Sequence, residues 1–210
     1  MNDIEEDDEN DVIDRIRAKQ KLTASHVVYV VELLIKAYGA TVSLIDPGFL
    51  AFYMNTADAN SKPCADMMRF FKGDRQRPVT IMPVHDNNHW SLLIYVARYN
   101  TFYYFDSLDE YHNGYITRIM QKMVDDMIIT DLWTTQITII GSDTQAHSYE
   151  CGQYIFMFIY SFFVQYNQPP NHTVPFTERL QAYVGESCRE QYRQSFIRLV
   201  IAWIHESRGY

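Results

Sequence analysis

Three cysteines in 210 residues, Cys64, Cys151 and Cys188, are too few and too widely spaced for a disulfide framework, and no two have the separation of a zinc knuckle. Reduced thiols in cytosol or nucleus are the expectation. No long run of Lys or Arg occurs, and the formal net charge is -8. That excludes a non-specific nucleic-acid binder, which needs a basic patch to neutralise phosphates; a basic protein partner suits the chain better. No apolar run is long enough for a bilayer: residues 155–164 reach about half of the roughly twenty residues required and read as a buried core helix. There is no internal repeat and no linker. The opening "MNDIEEDDENDVID" is acidic where an export signal would be basic and then apolar, so no export is expected. It reads as a flexible tail over residues 1–22, ahead of one domain over 23–210.

What is present is a core. With 47% hydrophobic residues the chain can bury a sizeable interior without staples. "TASHVVYVVELLIKAYG" (23–39) offers Thr or Ser as N-cap and Gly39 as a stop, which predicts a helix. "LIDPGFLAFYMN" breaks at Pro47-Gly48 and restarts as a short helix, and "PCADMMRFFKG" is another. The centre turns β-branched and aromatic, predicting strands over 78–84, 89–97 and 101–107, the last two joined by a tight turn at Arg98 to Asn100. Ile116, Ile119, Met120, Met123, Val124, Met127 and Ile128 share one face of a helix by their three-four spacing. Residues 135–140 read as a strand and "GSDTQAHSYE" as a polar loop. Gly152 to Tyr166 is a buried helix stopped by "NQPPN", and Tyr192, Phe196, Leu199, Val200, Trp203 and Ile204 mark a C-terminal helix.

Four polar residues stand out against this frame. In the hairpin of the second and third strands, His89 at the start of one and Asp106 at the end of the other fall within about three residues of register. A His-carboxylate pair follows. Cys151 sits at the first turn of the buried helix, where the positive end of the helix dipole favours thiolate over thiol. Gly152 beside it leaves room for a substrate backbone. Gln145, six residues upstream on the loop, can donate its amide to an oxyanion, helped by the Cys151 backbone N-H. Nucleophile, base, orienting carboxylate and oxyanion donor are then all present. Taken singly each has a blander reading: a small core cysteine, a strand-end histidine, a turn aspartate. Cys64 and Cys188 lack a comparable setting. His85 does not complete a metal set with His89, because "DNN" between them reads as loop and no third ligand is near in sequence.

"HWSLLIYVARYNTFYYFDS", followed by Gln145 six residues before "CG", resembles the Ulp/SENP family of cysteine proteases that cleave ubiquitin-like modifiers. The order His89, Asp106, Cys151 matches that family, whereas papain-type enzymes carry the cysteine first. "HWSLLIY" and "SYECG" are most similar to the small deneddylase branch. The resemblance implies an α+β, papain-like/Ulp-type fold with a central mixed sheet flanked by helices. It implies Cys151 as nucleophile, His89 as general base and acid, Asp106 as its orienting partner and Gln145 as oxyanion donor. Trp90 matches the tryptophan covering the diglycine tail. The family's N-terminal Trp-Leu dipeptide is missing, and Leu44 or Phe49 stands near its place. The implied activity is cleavage after the C-terminal Gly-Gly of a Nedd-type modifier, in its precursor or on a lysine. The implied partner of this monomer is that modifier and its conjugates, with ubiquitin or SUMO as alternatives. The rival readings are a catalytically silent modifier-binding module and an acetyltransferase like a related group of effectors with a similar triad. No cofactor, metal, nucleic acid or membrane is required.

Overall fold

The computed structural model describes residues 3–38, 41–58, 61–73, 78–109, 111–129, 135–142, 144–169 and 173–207. Gly39, the expected helix stop, lies outside them, as do Pro170 and Asn171 of the expected breaker. In chain order the elements are α1 (Asp3–Arg17), α2 (Ala24–Ala37), β1 (Val42–Leu44), α3 (Pro47–Met54), α4 (Lys62–Met68) continued by a π-helical turn (Arg69–Gly73), β2 (Val79–Asp86), β3 (His89–Val96), β4 (Thr101–Asp106), α5 (Asn113–Asp125), β5 (Gln136–Ile140), α6 (Cys151–Tyr166), α7 (Phe176–Ser187) and α8 (Glu190–Ser207). They fall into two compact units. One spans residues 41–106 and 110–139; the other spans 1–40, 107–109 and 140–210.

The first unit carries a five-stranded mixed sheet ordered β1-β2-β3-β4-β5, with β1 parallel to β2 and β2, β3 and β4 antiparallel. Asn87 and Asn88 join β2 to β3 with φ of 48° and 60°. Two left-handed residues make the hairpin turn whose twist suits paired strands, and asparagine tolerates that conformation. The "DNN" loop is therefore a tight turn. Between β3 and β4 a single 3-10 turn (Ala97–Tyr99) ends on left-handed Asn100, where a turn is expected. On one face of the sheet Met82, Val84, Leu93, Phe102 and Tyr104 pack with Leu50 and Tyr53 of α3 and Ile116, Ile119, Met120 and Met123 of α5. The three-four spacing in α5 sets that contact. It does not extend to Met127, which follows the helix end with φ 56° and is 70% exposed. Ile128 is buried after this reversal rather than along the helix.

In the second unit α6 is buried almost all round, with Ile155, Phe156, Phe158, Ile159, Phe162 and Phe163 fully enclosed, and it packs on α2, α7 and α8. A helix apolar on nearly every side suits such enclosure, with Gln153, Ser161 and Gln165 as its buried polar residues. The N-terminal segment differs from the flexible tail expected of it. Val12, Ile13 and Ile16 of α1 are buried, and α1 packs on α2. Leu22 reaches α6: a Cβ added at Gly152 would stand 3.1 Å from Leu22 Cβ. On the side a Cβ would take, the close approach that glycine permits is met by Leu22. Among the described residues no helix is long and apolar enough to cross a membrane.

Candidate active site

The sheet unit builds a histidine-carboxylate pair at the open end of the β3-β4 hairpin. Register pairs Ser91 with Asp106, so His89 lies two residues beyond Asp106 on the same face, since side chains alternate along a strand. His89 Nε2 meets Asp106 Oδ1 at 2.6 Å, and both side chains are buried. The other carboxylate oxygen accepts from the Tyr104 hydroxyl at 2.5 Å and from the His112 backbone N-H at 3.1 Å. Burial, and then the adjacent Asp106 carboxylate, push the Tyr104 phenol far above its usual range, which keeps it a donor. Three donors around one buried carboxylate favour its charged form. Held as an acceptor, Asp106 fixes the proton of neutral His89 on Nε2 and leaves Nδ1 as the basic nitrogen.

His112, at the N-terminus of α5, completes the network. Its Nε2 lies 2.9 Å from the Asp86 carbonyl, which can only accept, so Nε2 carries the proton and Nδ1 accepts from Ser91 Oγ at 2.8 Å. Burial lowers the His112 pKa from its ordinary value. The imidazole is thus a neutral strut between β3 and the end of β2. Although ligand atoms of His89, Asp106 and His112 lie within 4.8 Å of one another, both His112 nitrogens are engaged. The three form a hydrogen-bond network rather than a metal-ligand set.

Within the helical unit, Cys151 is the first residue of α6 and its thiol lies 3.8 Å from the Ser148 carbonyl, which accepts from it. At this position its backbone N-H has no intrahelical acceptor. Gln145 is oriented from both ends. Its Oε1 accepts from Ser107 Oγ at 2.6 Å, its backbone N-H donates to the Ser107 carbonyl at 2.9 Å, and one Nε2 proton goes to the His147 carbonyl at 3.2 Å. The second Nε2 proton has no partner among the described residues. An amide whose oxygen is already satisfied can present only its N-H groups.

The residue before Cys151 anchors this loop. Glu150 Oε2 accepts from the Ala146 and His147 backbone N-H groups, each at 3.0 Å, while Oε1 accepts from Arg193 Nη1 of α8 at 2.7 Å. Arg193 is itself buried, bonds Glu190, and lies over the Tyr154 ring. Ser107, Tyr104, His112 and the Glu150-Arg193 pair escape sequence reasoning because their partners are set by tertiary contact. The one cue was the acidic residue ahead of the cysteine.

The remaining expected positions sit in the sheet unit. Trp90 is buried on β3, its ring 4.4 Å from that of its cross-strand partner His85. Leu44 is half-buried on β1 opposite Ile81, and Phe49 packs on the core and against Phe70. Burial pushes the Cys64 thiol up, and its sulfur lies 3.4 Å from both Asp126 Oδ2 and the Asp58 carbonyl, either of which can accept its one proton. That is the setting of an inert thiol. Cys188 is buried at the end of α7.

Residues 52–195, well over half of the chain, match the Ulp1 protease family, C-terminal catalytic domain. No curated protein sequence matches the chain. Among solved structures, a de-sumoylating protease superposes with a TM-score of 0.64 at 16% identity, covering 96% of this chain and 88% of its own. The C-terminal Ulp1 protease domain in complex with Smt3, the yeast ortholog of SUMO, gives 0.57 at 13% identity over 84% and 80%. The Xanthomonas campestris effector protein XopD bound to ubiquitin gives 0.56 at 16% over 77% and 90%. The α+β fold expected from the sequence is therefore the fold of Ulp1-type proteases.

Proposed function

The chain belongs to the Ulp1 protease family, and from that premise we propose that it is a thiol peptidase cleaving after the C-terminal Gly-Gly of a ubiquitin-like modifier. In this reading Cys151 Sγ attacks the glycine carbonyl and its proton passes to His89 Nδ1. The oxyanion takes hydrogen bonds from the free Nε2 proton of Gln145 and the Cys151 backbone N-H. His89 then protonates the departing lysine amine, leaving a thioester. Water, deprotonated by His89, hydrolyses it and returns the thiol and a glycine carboxylate. The observation that carries the proposal is the buried His89-Asp106 contact of 2.6 Å, with Asp106 held by two further donors. It is what a base fixed in one tautomer requires.

A Nedd-type modifier is the preferred substrate, supported by the likeness of "HWSLLIY" and "SYECG" to the deneddylase branch. A second reading, SUMO or ubiquitin, is favoured by fold neighbours bound to those modifiers. Trp90 is assigned as one wall of the tail channel. Phe49 is committed to the core, so Leu44 is the better candidate for the opposite wall. The enzyme would act in cytosol or nucleus, where thiols stay reduced. Hydrolysis of Nedd-type, ubiquitin and SUMO fluorogenic C-terminal amides tests the assignment. The Nedd-type amide should have the highest kcat/KM; a faster SUMO amide overturns the modifier assignment, and no turnover of any overturns the function.

A further inference from the structure

A cavity of about 230 Å³ in the helical unit opens between the end of α1, the start of α6 and one face of α8. Ile16 of α1 and Ile197 and Ile201 of α8 line it, while Arg17, Lys19 and Arg198 contribute cations to its edge. The three cations are exposed, and none is in an ion pair among the described residues. Such a concentration of positive charge is unexpected in a chain of net charge -8. Gln153 also lines the cavity. It is only 4% exposed, yet its side-chain amide has no hydrogen-bond partner among the described residues. Its amide atoms are open to the cavity and available to pair with water or with a ligand.

We propose that this cavity binds an acidic peptide segment of another protein, seating an aliphatic side chain on the isoleucines and a carboxylate against Arg17 and Arg198. The isoleucines decide between anion classes: a peptide brings an aliphatic side chain that phosphate lacks, and its backbone amide returns one donor and one acceptor to the Gln153 carboxamide. Arginine forks and carboxylates pair in two parallel bonds, which accounts for cations at the edge. Glu150 lines the same cavity, where its charge is offset by the buried Arg193 and its oxygens are engaged by Arg193, Ala146 and His147. Glu190 is likewise bonded to Arg193 and Gln194.

This inference does not rest on the catalytic reading, and binding by the Cys151→Ala chain measures it. The probe is a fluorescein-labelled hexapeptide of alternating glutamate and leucine, titrated by anisotropy, with a lysine-leucine hexapeptide as its control. Saturable binding should weaken at least roughly tenfold, about 1.4 kcal/mol, in Arg17→Glu/Arg198→Glu, whose exposed positions leave folding intact by circular dichroism. Gln153→Leu should weaken it several-fold, and inorganic phosphate should not displace the peptide at equal concentration. Absence of saturable binding, equal binding of the lysine peptide, wild-type affinity in either variant, or displacement by phosphate would each overturn the proposal.

Discussion

The Ser107 hydroxyl donates to Gln145 Oε1 at 2.6 Å while the Ser107 carbonyl accepts from the Gln145 backbone N-H at 2.9 Å, so one serine sets the direction of the whole glutamine. An oxyanion donor acts on charge that develops only in the transition state, and aiming it affects kcat more than KM. Ser107→Ala is expected to lower kcat roughly tenfold with KM little changed, against the roughly 10²-fold expected for Gln145→Ala. Ser107→Thr, which keeps the hydroxyl, should recover most of the loss. Steady-state kinetics on a modifier C-terminal amide decides; wild-type kcat in Ser107→Ala would show that the amide needs no such aim.

The Glu150-Arg193 pair holds the loop carrying Gln145 from beneath. Removing one partner of a buried ion pair leaves an uncompensated charge and typically costs about 3–5 kcal/mol. Urea denaturation of Arg193→Met should show a loss of that order, and Glu150→Gln/Arg193→Met should lose less than the sum of the single variants. Hydrogen exchange at the Ala146 and His147 amides should accelerate in Glu150→Gln. Additive losses would mean the two side chains act independently.

Leu22 against Gly152 ties the N-terminal segment to the cysteine's helix. With its Cβ 3.1 Å from Leu22 Cβ, Gly152→Ala overpacks the contact and should destabilise by about 1–3 kcal/mol. Adding Leu22→Ala should restore part of it. If the double variant is no more stable than Gly152→Ala, the contact is not the source of the strain.

Acid should weaken the fold through His112. Its folded pKa is lowered by burial from 6.5, so the unfolded chain takes up a proton first as pH falls. The stability contributed by the neutral ring is complete above that unfolded value and is lost below it. Between about pH 7.5 and about pH 5 the urea midpoint of the wild type should fall more than that of His112→Gln. Equal falls would remove His112 from the explanation.

These tests concentrate on what the sequence could not reveal. The alternation of β3 and β4 is legible residue by residue, and it places His89 within about three residues of Asp106 in register; the structure sets the offset at two. The placement of Cys151 at a helix start is legible from the apolar run behind it. Ser107 and Gln145 are 38 residues apart, and Glu150 and Arg193 are 43 apart, so no periodicity connects them. Helix α1 was hidden because the acidic run up to Asn10 dominates its composition, although Val12, Ile13 and Ile16 share a buried face. Helix α7 offers only Leu180 and Val184 as fully buried hydrophobics, too few to mark a period. Met127 fits the helical spacing yet falls past the last turn, where a left-handed residue ends the helix; spacing alone does not reveal where a helix stops.

The most direct test of the central claim is covalent capture. The full chain is mixed with Nedd-type, ubiquitin and SUMO modifiers carrying C-terminal electrophiles, and intact mass and peptide mapping locate the adduct. The account predicts a single adduct at Cys151, lost in Cys151→Ala, forming fastest with the Nedd-type probe and slowest with SUMO. An adduct at Cys64 or Cys188, or none with any modifier, would contradict it.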